Sequence, residues 1–69
     1  MDNEIVFLVE ENPEGGFCAR ALGHGIYTEA ESYVELKKMV KEAVQCHFDS
    51  EHCPPVIRLH QVKDEVIAA

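Results

Sequence analysis

The stretch from Glu29 to Phe48 constrains the fold more than any other part of the chain, because it carries helical periodicity over several turns. Leu36, Met39, Val40, Ala43, Val44 and His47 recur at i, i+3, i+4 and i+7 and predict one apolar stripe. Lys37, Lys38, Lys41, Glu42 and Gln45 fall mostly outside it and predict the wet side. Ser32 and Glu35 have capping-box spacing, in which each side chain satisfies a first-turn backbone N–H that has no helical partner. A single amphipathic helix has nothing to bury its stripe against, so the rest of the chain must supply a sheet.

The flanking segments read as strands. Glu4–Glu11 places Ile5, Phe7 and Val9 on one face and Val6 and Leu8 on the other. Apolar residues on both faces predict cover by the helix on one side and by a second body, such as another subunit, on the other. Asn12-Pro13-Glu14-Gly15-Gly16 predicts a turn. Phe17–Leu22 then returns as a second strand, with the small Ala19 and Ala21 on the face that lets the helix approach closely. Gly23-His24-Gly25 is a tight connection, and Ile26, Tyr27 and Thr28 make a short third strand. Pro54 and Pro55 stop any helix continuing past Phe48. Val56–Val62 is the last clear strand, with Ile57 and Leu59 opposite Arg58 and His60, and Val66–Ala69 either extends it or pairs with another chain. The expected fold is α+β, in the order β-β-β-α-β, with one helix packed on a mostly antiparallel sheet in a single domain over residues 1–69.

At 69 residues, such a domain buries only ~60% of its unfolded surface, so oligomerisation is the expected supplement to a thin core. The odd count of three cysteines and the absence of a signal-peptide pattern predict free thiols in the cytoplasm. No segment approaches the ~20 apolar residues of a membrane helix. The formal charge of −7 is concentrated at the start, where Asp2, Glu4, Glu10, Glu11 and Glu14 precede any basic residue. Direct nucleic-acid binding is disfavoured, because phosphate contacts need a clustered basic face. A basic protein partner is allowed, and Glu10, Glu11 and Glu14 are its candidate contacts, together with His24, which its glycine neighbours expose in the loop nearest the helix start.

Cys46, His47, His52 and Cys53 gather zinc-type ligands within eight residues. Their spacing argues against a site. Cys46 and His47 are adjacent on a helix and diverge, His52 and Cys53 are adjacent in a loop, and there is no Cys-x-x-Cys pair. They remain weak metal candidates, with no cofactor expected. Cys46 otherwise flanks the core, His47 favours the helix C-terminus, and Cys18 is a small buried side chain.

Two motifs in this order carry a family resemblance over about residues 4–48. One is Glu14-Gly15-Gly16-Phe17-Cys18-Ala19, of the form EGG-aromatic-x-A. The other is the helix with Ser32, Glu35, Lys41, Glu42, Ala43 and Val44. Behind an apolar first strand, they resemble the HicB-like antitoxins. The resemblance implies a fold like a double-stranded-RNA-binding or truncated ribonuclease-H domain, a homo-oligomer, and neutralisation of a small basic ribonuclease toxin by covering its active site. Two departures stand out. Ala21-Leu22-Gly23-His24-Gly25-Ile26 replaces the usual Pro-x-x-Pro-Gly-Cys connection, which bears on partner identity. No DNA-binding segment follows the last strand, which argues against autoregulation. The ribonuclease-H likeness also invites a search for catalytic carboxylates, but the strand interiors contain no Asp or Glu, so no two-metal nuclease is expected. The function expected is a non-catalytic protein-interaction module. The alternative is a self-assembling structural protein with no toxin partner, and a metal-binding protein ranks behind both.

Overall fold

The computed structural model describes residues 3–63 and 65–69. Four strands and one helix follow in the order β1 (Glu4–Glu11), β2 (Phe17–Ala21), β3 (Tyr27–Ala30), α1 (Tyr33–His47) and β4 (Val56–Val62). The sheet order is β3-β2-β1-β4. β1 and β2 pair antiparallel with Val9 opposite Ala19, and β2 and β3 pair antiparallel with Ala19 opposite Thr28. β4 pairs parallel to β1, with Phe7 opposite Leu59. The sheet is therefore mixed and mostly antiparallel, as expected, with the β1–β4 pairing as its parallel ladder. The cause is directional: each turn reverses the chain, so β1 and β3 run the same way. The chain reverses into the helix and again out of it, so β4 runs parallel to whichever edge it joins.

The hairpin between β1 and β2 closes where the Gly15 N–H donates to the Asn12 carbonyl at 3.0 Å and the Asn12 N–H donates to the Gly16 carbonyl at 2.9 Å. At the opposite end, the Ala21 N–H donates to the Ile26 carbonyl at 3.0 Å and closes the β2–β3 connection. Ile26 thus lies just before the third strand, which runs on to Ala30. The helix starts at Ser32, whose hydroxyl accepts from the Glu35 N–H at 3.1 Å. It ends at Phe48, whose N–H donates to the Val44 carbonyl at 3.1 Å.

Ile5, Phe7, Val9, Ala19, Ala21 and Ile26 from the sheet side meet Leu36, Val40 and Val44 from α1 in one buried cluster. The apolar stripe is narrower than its periodicity predicts. Met39 is 38% exposed and His47 is exposed, while Ala43 packs partly against the core. A three-residue stripe suffices because the alanines beneath it bring helix and sheet close together.

Candidate functional site

The two connections of the sheet put different chemistry at its two ends. The hairpin end carries Glu10, Glu11 and Glu14, all exposed. Glu10 pairs with Cys18 and Val62, and Glu11 pairs with Phe17, so their side chains leave opposite faces of β1. Glu14 stands between them in the turn. The three carboxylates surround one end of the sheet rather than lining one face. Glu10, Glu11, Asn12 and Pro13 also form one wall of an open cleft of about 510 Å³, with Gln61, Val62 and Lys63 opposite. Lys63 is the cationic group of that cleft.

His24 lies at the other end, and the structure corrects its expected position. It belongs beside the helix C-terminus, not its start. Its ring meets that of Phe48 edge-on at 5.2 Å and that of His47 at 6.2 Å. His47 and Phe48 are themselves edge-on at 4.8 Å. The reason is again directional: the connection of residues 22–26 and the end of α1 share the edge of the sheet opposite the hairpin. His24 therefore does not join Glu10, Glu11 and Glu14 in one surface.

The cysteine and histidine candidates are not brought together. Cys46 is exposed instead of flanking the core. The Asp49 carboxylate accepts from the His52 N–H at 2.9 Å and lies 2.6 Å from its Nδ1, which commits that ring to the loop. Cys53 packs partly against the core, with its Sγ 3.7 Å from the Pro54 carbonyl oxygen. Among the described residues, no group of three or more His, Cys, Asp or Glu is placed to hold a metal ion. No helix there is long and apolar enough to cross a membrane.

The feature that residue types alone do not reveal is the face of the sheet turned away from α1. Val6 and Leu8 are half-buried on it without a covering element. By register they share it with Cys18, Arg20, Tyr27, Arg58 and His60. Leu22 and Tyr27 are 52% and 59% exposed. Cys18 is half-buried here, not enclosed in the core. The Tyr27 hydroxyl is pushed up to about 12, first by desolvation, then by the neighbouring Cys18 thiol and Glu29 carboxylate. It stays neutral at physiological pH and adds an uncharged donor to this face. Arg58 reaches across to Glu4, with its Nη2 3.1 Å from the carboxylate. An uncovered apolar centre at Val6 and Leu8, flanked on the neighbouring strands by Arg20, Arg58 and His60, is the composition of a protein-binding surface.

Comparison with known proteins supports one assignment. A UPF0150 protein of Thermotoga maritima is 40% identical over 65 residues, covering 94% of this chain and 91% of that protein. The chain belongs to the UPF0150 family. A second UPF0150 protein, from Archaeoglobus fulgidus, is 56% identical over 50 residues, covering 72% of this chain and 74% of that protein. No family model and no solved structure matches the chain. The UPF0150 name specifies no reaction or partner, so the functional reading of this chain rests on its own geometry.

Proposed function

We propose that this UPF0150 chain is a non-catalytic interaction module of the HicB type, acting in the cytoplasm on a small basic protein partner. The observation that carries the reading is the placing of Glu10, Glu11 and Glu14 around one end of the sheet, with Glu10 on the open face centred on Val6 and Leu8. The acidic end attracts and orients a basic protein, and the apolar face supplies the desolvated contact area. A ribonuclease toxin of the kind the HicB resemblance implies has a basic, RNA-binding active site. The acidic hairpin is the complementary surface to block it.

The test is a pull-down of tagged chain from its native host at low salt, with bound proteins identified by mass spectrometry. A small basic ribonuclease-like protein in stoichiometric amount, inactivated by the pure chain in an RNA-cleavage assay, supports the reading. Recovery of the chain alone favours a second reading, self-assembly without a toxin. That reading is motivated by the same uncovered apolar face and by the free edges of β3 and β4.

A further inference from the structure

The helix does not cover the whole sheet. It packs closest to β3 and β2, over Ala19 and Ala21, and leaves the helix-facing side of the edge strand β4 partly open. Ile57 pairs with Ile5, and Leu59 pairs with Phe7. Ile5 and Phe7 are buried, whereas Ile57 and Leu59, one strand further out on the same side of the sheet, are only half-buried. With Val40 and Val44 of α1 they line a groove of about 330 Å³. Lys37 and Lys41, both exposed, form its helical rim, and no carboxylate among the described residues lines it.

The outer side of this groove is a strand edge. β4 is the last strand in the sheet order, so its outer backbone N–H and C=O groups have no ladder partner among the described residues. No proline interrupts Val56–Val62, so every residue of the strand keeps its N–H. The helix runs opposite to β4, which places Lys37 and Lys41 toward the Val62 end of the groove and Val44 toward the Ile57 end.

We propose that this groove binds an extended peptide segment of another protein, with apolar residues at two alternate positions and an acidic residue at the next alternate position. The segment adds a strand to the free edge of β4, and its backbone continues the ladder. Side chains alternate along it, so every second residue faces the groove. The two apolar ones cover Ile57 and Leu59, and the acidic one meets the ammonium groups of Lys37 and Lys41. An apolar floor with cations along its rim selects an apolar, acidic segment over a basic one. The site lies on the helix side of the sheet, away from the open face around Val6 and Leu8. Its occupant is opposite in charge to the basic partner proposed above, and the inference does not rest on that partner.

The test is fluorescence anisotropy of a labelled synthetic peptide titrated with the full chain. The peptide carries Val, Ile and Glu at its second, fourth and sixth positions, with Thr between them and both ends capped. The expected result is saturable binding that is lost when Lys replaces the peptide's Glu. Lys41→Glu should weaken binding roughly tenfold. Lys38→Glu makes the same charge change outside the groove and should weaken it about twofold or less. Both lysines are exposed, so both variants should retain the fold, and circular dichroism melts check this. N-methylation of the peptide separates edge pairing from apolar contact alone. Of its two alternate sets of N–H groups, only the set turned toward β4 should be sensitive. Absence of binding, equal binding of the Lys peptide, equal loss in the two lysine variants, or indifference to methylation of both sets overturns the proposal. Light scattering that shows a two-chain mass falling to one in Lys41→Glu also overturns it, because the groove then belongs to a second copy.

Discussion

The Cα of Gly16 lies against the carbonyl oxygen of Ala30: a Cβ at position 16 would stand 2.8 Å from that oxygen. This contact seats the hairpin under the end of β3, where Phe17 pairs with Ala30 and meets Tyr33 edge-on at 5.8 Å. It gives the second glycine of the Glu14-Gly15-Gly16-Phe17 motif a physical reason. Gly16 needs its positive φ of 87° and also has no room for a side chain, whereas Gly15, at φ 106°, has open space around it.

Gly16→Ala should therefore cost about 2 kcal/mol or more, combining backbone strain with displacement of β3. Gly15→Ala should cost about 1 kcal/mol, from backbone strain alone. Urea unfolding of the two variants gives the comparison. Equal midpoints would mean that β3 shifts without penalty and that the Gly16–Ala30 contact does not organise the hairpin.

The narrow helix stripe makes a second contrast. Leu36 is fully buried and Met39 is 38% exposed, although their periodicity places both on the apolar face. Leu36→Ala should cost ~2–5 kcal/mol, and Met39→Ala less than about 1 kcal/mol. A domain of this length has only ~3–10 kcal/mol to lose, so Leu36→Ala should be largely unfolded at moderate temperature. Thermal melts by circular dichroism separate the two, and a similar loss for Met39→Ala would extend the core across the whole predicted stripe.

The element order was legible in the sequence because each element announces itself locally. Alternation marks β1, Asn12-Pro13 and the glycines mark the hairpin, and Ser32 and the paired prolines bracket the helix. The direction of β4 follows from counting elements, since the four reversals between β1 and β4 leave it running with β1 and β3, yet strand alternation alone does not reveal this. The exposure of Met39 was not legible, because helical periodicity fixes an angular position but not where the sheet beneath ends. His24 shows the same gap: its glycine neighbours foretell a turn, but only topology brings it to Phe48 instead of Ser32. Of the candidate site, the acidic residues were visible by charge. The open face around Val6 and Leu8 was visible only as a strand apolar on both sides, and whether the helix covers it depends on which side the crossover takes.

Tyr27 gives that face a pH signature. Its hydroxyl is raised from 10.0 to about 12 in the fold. The folded state thus holds the proton to higher pH than the unfolded chain does. The associated stability is fully present below about pH 10 and is lost as pH rises toward about 12. The ring is 59% exposed, so the effect is small. Tyr27→Phe should leave neutral-pH stability nearly unchanged and flatten the decline across that alkaline window. Chemical denaturation at a series of pH values reads this directly, and an identical decline in both proteins would remove Tyr27 as its source.

The acidic hairpin offers the most direct functional prediction. Glu10, Glu11 and Glu14 are exposed, and none of them makes an ion pair among the described residues. Reversing all three to Lys changes the local charge by six units while leaving the core untouched, so thermal stability should move little. Binding to a basic partner should then collapse. The single Glu14→Lys should act mainly on association rate, because a rim charge steers encounter more than it holds the complex. Raising the salt concentration toward 1 M, where the Debye length falls to ~3 Å, should slow wild-type association and narrow its advantage over the variants. Surface plasmon resonance at two salt concentrations measures both effects. Salt-independent association, or full binding by the triple variant, would assign recognition to the apolar face around Val6 and Leu8 and leave the carboxylates only a role in solubility.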